Sequence, residues 1–172
     1  VLVIFPFEET VFAGTGLPVE FVGHPLTETA RGILASAPTP LPWGGPRKAA
    51  LLPGSRLQEI RRIFPVFREA AAILAEREPD LSFIVASPGE RITQAIEAIQ
   101  DRTRGAGPRL EIVTGRTREV LRQADAAMVA SGTATVETAL LECPMIVAYK
   151  TSWLTYWIGR RVVKVDYLGM VN

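Results

Sequence analysis

Apolar residues along the chain fall into two alternating patterns. Short continuous apolar runs, typical of buried strands, lie at 49–52, 81–85, 110–113, 127–130 and 145–149. Longer segments with apolar residues at helical spacing predict one helix after residue 55 and further helices at 90–104, 117–123, 134–141 and 154–160. Apolar strands that alternate with helices form parallel sheets covered on both faces. The pattern therefore predicts an α/β domain built on a parallel sheet.

The first of these helices is predicted to begin at Ser55, because Gln58 three residues later completes a capping box. Its apolar stripe consists of Ile60, Ile63, Phe64 and Phe67. Pro65 interrupts the stripe, and a proline costs about 3 kcal/mol inside a helix but is favoured in a first turn. We therefore expect two helices, a short one to Phe64 and a longer one from Pro65 to about Glu78.

The chain before residue 47 has a different character. The apolar run at 1–5 predicts a buried strand, and a second short run lies at 17–23. Both resemble the last elements of a preceding domain, and the absence of an initial Met leads us to expect a piece of a longer protein. Between residues 36 and 46 there are four prolines and two glycines. These residues disfavour regular structure, so we expect a linker or an exposed loop there.

Composition narrows the classes of function. The chain has 172 residues, of which 48% are hydrophobic and 22% charged, as in ordinary globular domains. A formal net charge of +1 gives no broad field that would hold bulk nucleic acid. The sequence contains a single cysteine, Cys143, and a single histidine, His24, which excludes a disulfide framework and a zinc cluster. We expect Cys143 to be a small buried residue.

The sequence has no membrane-spanning run, but one segment suits a membrane surface. No apolar stretch approaches the roughly 18 residues that cross a bilayer, and the first residues lack the basic start of a signal peptide, so we expect a cytoplasmic protein. The segment 153–164 combines three aromatic residues with three cations. Such a helix can lie at the level of the headgroups. A core-facing aromatic stripe with a solvated basic end is the alternative.

The loop after the strand at 49–52 has the composition of a phosphate site. Ligands of parallel sheets bind where strands end and helices begin. Gly54 permits a tight turn, Ser55 can face a ligand oxygen, and the helix N-terminus presents free N–H groups. Arg56 adds a planar guanidinium suited to phosphate oxygens. A capped turn with a solvated arginine is the alternative, and the loop matches neither the Walker nor the dinucleotide glycine motif.

The loop after the strand at 127–130 complements the first. Its small residues Ser131, Gly132 and Thr133 let a ligand approach the backbone. Glu137 lies one helical turn after Thr133 and on the same face, where its carboxylate can accept hydrogen bonds from the two hydroxyls of a ribose. An acidic residue that merely stabilises the first turn of a helix is the alternative. Two such loops in one sheet predict a nucleotide site.

Two further features are candidates. Thr114 and Gly115 follow a predicted strand and suit contacts with a base edge through backbone groups, although an ordinary turn explains them equally. His24 lies at the predicted domain boundary between Gly23 and Pro25. Because no Ser or Cys stands at a recognisable spacing from it, a substrate or interdomain role and a structural role both stay open.

Short motifs at 5–8, 22–26, 51–56, 59–60, 131–137, 143–150 and 165–167 follow one another along the chain. Together they resemble the bacterial lipid-A-disaccharide synthase family, and the similarity spans almost the whole chain. The Ser-Gly-Thr to Glu pattern within 131–137 is shared by many two-domain sugar-nucleotide enzymes. The specificity of the resemblance therefore comes from the combination of motifs.

The resemblance implies a GT-B glycosyltransferase of two Rossmann-like halves. Residues 1–22 would end the N-terminal acceptor domain, 23–47 would be the interdomain linker, and 48–172 would form the UDP-sugar-binding domain, truncated at its C-terminus. The implied reaction is the inverting transfer of 2,3-diacylglucosamine from UDP to 2,3-diacylglucosamine 1-phosphate (lipid X), which yields lipid A disaccharide 1-phosphate and UDP. No metal or other cofactor is implied. The implied location is peripheral, on the cytoplasmic face of the inner membrane of Gram-negative bacteria.

Residue roles follow from the resemblance by position. Arg56 would stabilise the departing diphosphate, and the general base is expected in the N-terminal half. Glu137 would hold the ribose. The implied nucleotide-binding set is Gly54, Ser55, Arg56, Thr114, Gly115, Ser131, Gly132, Thr133 and Glu137. Val171 stands where the family usually has Pro, so a substrate or interdomain role of Asn172 stays open.

Two other functions stay open at the level of the sequence. An enzyme similar to UDP-N-acetylglucosamine 2-epimerase would share the nucleotide loops but act on a soluble sugar, and the segment 153–164 favours a lipid substrate over it. A non-catalytic nucleotide-binding module is the third possibility. For the glycosyltransferase, we expect the chain alone to bind UDP weakly without turnover.

Overall fold

The computed structural model describes residues 1–103, 109–150 and Trp157. Its helices and strands are, in chain order, β1 (Leu2–Val3), α1 (Phe7–Phe12), β2 (Glu20–Phe21), α2 (Leu26–Ala35), β3 (Arg47–Leu52), α3 (Leu57–Arg77), β4 (Leu81–Ser87), α4 (Glu90–Arg102), β5 (Glu111–Thr114), α5 (Thr117–Gln123), β6 (Ala126–Ala130), α6 (Thr133–Leu140) and β7 (Met145–Ala148). The helix predicted at 154–160 lies outside the described ranges except for Trp157.

The central sheet has the strand order β5-β4-β3-β6-β7, and all its strands are parallel. Leu51 of β3 pairs with Val85 of β4, and Leu52 pairs with Val129 of β6. The chain thus leaves β3 toward one side for β4 and β5, then crosses to the other side for β6 and β7. The predicted parallel α/β sheet is confirmed, and its topological switch point lies between β3 and β6.

Both faces of the sheet are covered, because successive side chains of a strand point to opposite faces. Leu51 lies in the apolar cluster formed with α3 and α4, while its neighbours Ala50 and Leu52 lie in the cluster on the other face. That second face is covered by α5 and α6 and by α2, which packs against both of them. The central strand β3 is therefore held between two helical layers.

The prediction of two helices around Pro65 is wrong, because α3 runs without a break from Leu57 to Arg77. Its buried stripe continues on both sides of the proline with Ile60, Ile63, Phe64, Phe67 and Ala71. Burial of that stripe against the sheet keeps the helix continuous despite the lost N–H. The N-cap residue is Arg56 rather than Ser55, since Glu59 rather than Gln58 reaches back to the loop.

The N-terminal part also differs from the prediction. Only Leu2–Val3 of the run at 1–5 is a strand, it pairs with β2, and only Val3 in it is buried. The helices α1 and α2 were not predicted. The segment 36–46 is tied to α5, because Thr39 N–H donates to Glu119 (2.8 Å) and Trp43 Nε1–H donates to Gln123 (3.3 Å). The domain division at 22 and 47 stays a prediction.

Cys143 is buried, as predicted, with 5% of its surface exposed. Burial, and secondarily the charge of Asp125, raises the pKa of its thiol from 9.0 to about 11. The thiolate is the reactive form of cysteine.

At pH 8 we therefore expect iodoacetamide to alkylate Cys143 at least ~100-fold more slowly in the native chain than in urea, since two pKa units reduce the thiolate fraction by that factor. The native rate should rise as the pH approaches 11. Equal rates in the native and unfolded chains would contradict this account.

The buried side chain of Gln100 attaches α4 to the start of β5. Its amide group donates to the carbonyl of Leu110 (3.1 Å), and its amide oxygen accepts from Leu110 N–H (2.8 Å).

Replacing Gln100 by Leu removes both partners of a buried peptide group, so we expect the free energy of unfolding to fall by roughly 2–4 kcal/mol. Urea denaturation followed by circular dichroism measures this. Gln94→Leu, on the exposed side of the same helix, should change it by less than ~0.5 kcal/mol, and a similar loss in both variants would contradict the assigned role.

Candidate functional site

A cleft of about 460 Å³ opens at the carboxyl ends of β3 and β6. It is lined by the loop after β3, the loop after β6 and the first turn of α6, with Pro88 and Thr117 closing one side. Open α/β sheets bind their ligands at this point of the topology. The sequence predicted both loops as parts of one site, and the described structure places them on the same cleft.

The turn after β3 requires a glycine. Gly54 has φ of +120°, a conformation that side chains disfavour, and a Cβ there would lie 2.5 Å from Oε2 of Glu59. The absence of a side chain lets the Glu59 carboxylate fold over the loop. Gly54 thus shapes the cleft wall that Ser55 and Arg56 continue.

Glu59 fixes this loop by accepting three hydrogen bonds. Its Oε2 accepts from the N–H groups of Ser55 (3.0 Å) and Arg56 (3.2 Å), and its Oε1 accepts from the Arg56 guanidinium (2.8 Å). Partial burial would raise the pKa of Glu59, but these hydrogen bonds outweigh burial and hold the pKa below its usual value. The N–H groups of Ser55 and Arg56 are therefore occupied by a carboxylate of the same chain. The side chain of Arg56 stays 81% exposed and able to meet a ligand.

The N-terminus of α6 provides open backbone groups at the cleft. Gly132, with φ of +154°, is its N-cap, and a Cβ there would meet nothing within 4 Å. In the part of the chain that the structure describes, the N–H groups of Gly132, Thr133 and Ala134 donate to no acceptor. Ser131 lines the cleft, but its N–H belongs to the sheet and donates to Ala148 (2.8 Å). Three backbone donors and the positive end of a helix therefore face the cleft.

Glu137 lies on α6 inside the cleft, one turn below Thr133, and it is ion-paired. Oε1 of Glu137 accepts from Nε (2.8 Å) and from a terminal nitrogen (2.7 Å) of Arg118 on α5. The side chains of Glu137 and Arg118 are 22% and 42% exposed, respectively. Sequence reasoning missed Arg118 because it stands 19 positions away and no local pattern links the two residues. Among the described residues, no hydrogen bond to Oε2 of Glu137 is present, so that oxygen can accept from a ligand.

The loop after β5 contributes less than predicted. Gly115 lines a separate opening next to the cleft that also borders on Pro88 and Glu137. The Thr114 hydroxyl is hydrogen-bonded to that of Thr93 (2.7 Å), and Thr114 does not line the cleft. Of the two predicted residues, Gly115 lines an opening beside the cleft and Thr114 does not, and the base-edge contact stays a prediction.

The remaining candidates lie elsewhere. His24 accepts a hydrogen bond from Leu26 N–H (3.2 Å) at the start of α2, its ring lies 5.5 Å from that of Phe5, and it does not line the cleft. Asn172 and the segment 153–164, apart from Trp157, fall outside the described residues. In the part of the chain that is described, no group of three or more His, Cys, Asp or Glu is placed to hold a metal ion. In that same part no helix is long and apolar enough to span a membrane.

The charges of the cleft suit a ligand with an anionic end and a hydroxylated end. Arg56 and the α6 N-terminus both line the cleft and suit phosphate oxygens. The carboxylate of Glu137 suits hydroxyl donors. A nucleoside diphosphate has both features.

A family model and the curated relatives of this chain point to the same protein family. The family model described as lipid-A-disaccharide synthetase matches residues 1–172. The lipid-A-disaccharide synthases of Geobacter sulfurreducens and Syntrophus aciditrophicus share 37% and 40% sequence identity with this chain. Each alignment covers 99% of this chain, but only 44% and 45% of the two relatives, respectively. The lipid-A-disaccharide synthase of Alkalilimnicola ehrlichii shares 37% identity with this chain, in an alignment that covers all of this chain and 46% of that relative.

A solved structure of an S. aureus TarM mutant, in complex with Fondaparinux, alpha-GlcNAc-glycerol and UDP, also matches, with 9% identity and a TM-score of 0.44. The alignment covers 98% of this chain and 32% of that one. The chain spans about half the length of the curated relatives it matches. Because the family model covers every residue, the chain belongs to the lipid-A-disaccharide synthetase family.

Proposed function

We propose that the cleft between β3 and β6 binds the UDP moiety of a nucleotide sugar. The observation that carries the proposal is the position of the Arg56 guanidinium and the open α6 N-terminus on one cleft at the switch point of the sheet. The diphosphate would accept hydrogen bonds from Arg56 and from the N–H groups of Gly132 and Thr133. Because Glu59 holds Arg56 through its backbone and its guanidinium, little ordering of that side chain is needed on binding.

The ribose would lie at the other end of the cleft, against Glu137. Its two hydroxyls would donate to Glu137, with Oε2 as the first acceptor, because Oε1 already accepts from Arg118. Arg118 restrains the direction of the partly buried Glu137 carboxylate. In this arrangement Arg118 positions Glu137 and does not itself contact the nucleotide.

The reaction is proposed from the family. The chain would be the nucleotide-sugar half of a two-domain GT-B enzyme that transfers 2,3-diacylglucosamine from UDP to 2,3-diacylglucosamine 1-phosphate. Arg56 and the α6 N-terminus would stabilise the charge that develops on the departing diphosphate. The base that deprotonates the acceptor hydroxyl would come from the other half, and no metal or cofactor is required.

Family membership favours glycosyl transfer over the 2-epimerase alternative. An enzyme with acylated substrates meets them at a membrane surface. We therefore propose a peripheral location on the cytoplasmic face of the inner membrane. The aromatic and basic segment 153–164 is the proposed contact.

Isothermal calorimetry with UDP tests the nucleotide site. Because a hydrogen bond to a charged group contributes about 1.5–3 kcal/mol, we expect Arg56→Ala to weaken UDP binding at least ~10-fold. Glu137→Ala should weaken UDP binding by a similar factor and the binding of 2′,3′-dideoxy-UDP by less than ~2-fold, since that analogue lacks the ribose hydroxyls.

Arg77→Ala and Glu97→Ala remove the same charges from exposed positions away from the cleft and serve as matched controls. We expect both controls to bind UDP within ~2-fold of the wild-type affinity. A folded chain in which Arg56→Ala and Glu137→Ala bind UDP as the controls do would contradict the proposed site.

A further inference from the structure

A second cavity lies next to the nucleotide cleft and shares its wall at Ser55, Arg56 and Glu59. Its volume is about 720 Å³. The side chains that distinguish it from the cleft are cationic and come from three elements: Arg61 and Arg62 of α3, Arg91 of α4, and Lys150 after β7. We refer to this cavity as the basic groove.

The basic groove concentrates charge in a chain that is nearly neutral. Five cations and one carboxylate line it, whereas the formal net charge of the whole chain is +1. The carboxylate, Glu59, is already ion-paired with Arg56 (2.8 Å). Within the described residues, Arg61, Arg62, Arg91 and Lys150 form no ion pair, and all four are exposed. The groove therefore presents uncompensated positive charge to a ligand.

Fold stability does not account for this placement. Arg91 is the second residue of α4, and Arg61 and Arg62 lie in the second turn of α3. The N-terminal end of α4 carries partial positive charge, which disfavours the cation of Arg91 in its first turn. The side chains also repel one another across the groove. A bound anion would convert both unfavourable terms into attraction.

We propose that the basic groove is a second anion site, which binds a phosphate group other than the diphosphate of the nucleotide. Guanidinium groups bind phosphate oxygens in a bidentate manner, and Lys150 adds a point charge. The volume of the groove is within the range of small-ligand sites and accommodates a sugar phosphate or the headgroup of a phospholipid. The site is inferred from the groove alone and does not depend on the proposed reaction.

The test compares two double variants of the chain. Arg62→Ala with Arg91→Ala removes two groove cations, while Arg77→Ala with Arg102→Ala removes the same charge from the opposite ends of the same two helices. Glucosamine 1-phosphate is titrated calorimetrically with and without UDP. Sedimentation with phosphatidylcholine vesicles, with and without phosphatidylglycerol, provides the lipid probe. Circular dichroism verifies that both variants fold.

We expect the groove variant to bind the phosphate probe at least ~10-fold more weakly than the wild type and the control variant within ~2-fold of it. UDP should not compete with glucosamine 1-phosphate. Binding of glucosamine 1-phosphate identifies a sugar phosphate as the ligand, and binding of phosphatidylglycerol vesicles alone identifies a lipid headgroup.

The proposal is overturned if neither probe binds, if the two double variants lose equal affinity, or if UDP displaces the sugar phosphate. The UDP affinity of the groove variant should stay within ~2-fold of the wild type. If UDP does not bind the wild-type chain, the proposed nucleotide site is contradicted. The basic groove is then tested by the titration of glucosamine 1-phosphate in the absence of UDP.

Discussion

The central position of β3 in the parallel sheet is the constraint on which the site depends. The chain turns from β3 toward β4 on one side and later crosses to β6 on the other, so the loops after β3 and β6 diverge at the carboxyl edge of the sheet. Burial of Leu51 and Leu52 on opposite faces holds β3 in place. The cleft is thus a consequence of strand order, and the side chains around it determine only what it binds.

Polar groups of the cleft are held by one another before any ligand arrives. Glu59 secures the loop after β3 and the guanidinium of Arg56, while Arg118 secures Glu137. Each carboxylate thereby loses some freedom, which lowers the entropic cost of ordering the site around a nucleotide. Groups suited to an anion come from two elements: the N-terminus of α6 provides backbone donors, and Arg56, the N-cap of α3, provides a guanidinium.

Hydrophobic patterning predicted the strands and most helices of the sheet, because an apolar strand buried on both faces has few other interpretations. It failed at Pro65, where burial of a stripe on both sides of the proline outweighs a local helix breaker. Glycine and hydroxyl residues predicted which loops meet at the cleft. The pairing of Arg118 with Glu137 depends on how α5 packs beside α6, and the basic groove depends on three elements meeting. Neither the ion pair nor the basic groove produces a recognisable pattern within one segment of the sequence.

A crystal structure of the chain with UDP would show directly whether the cleft binds the nucleotide. We expect density for the diphosphate between the Arg56 guanidinium and the N–H groups of Gly132 and Thr133, with the ribose hydroxyls within hydrogen-bond distance of Glu137. Ordered UDP at any other place on the chain, with the cleft between β3 and β6 empty, would contradict this expectation.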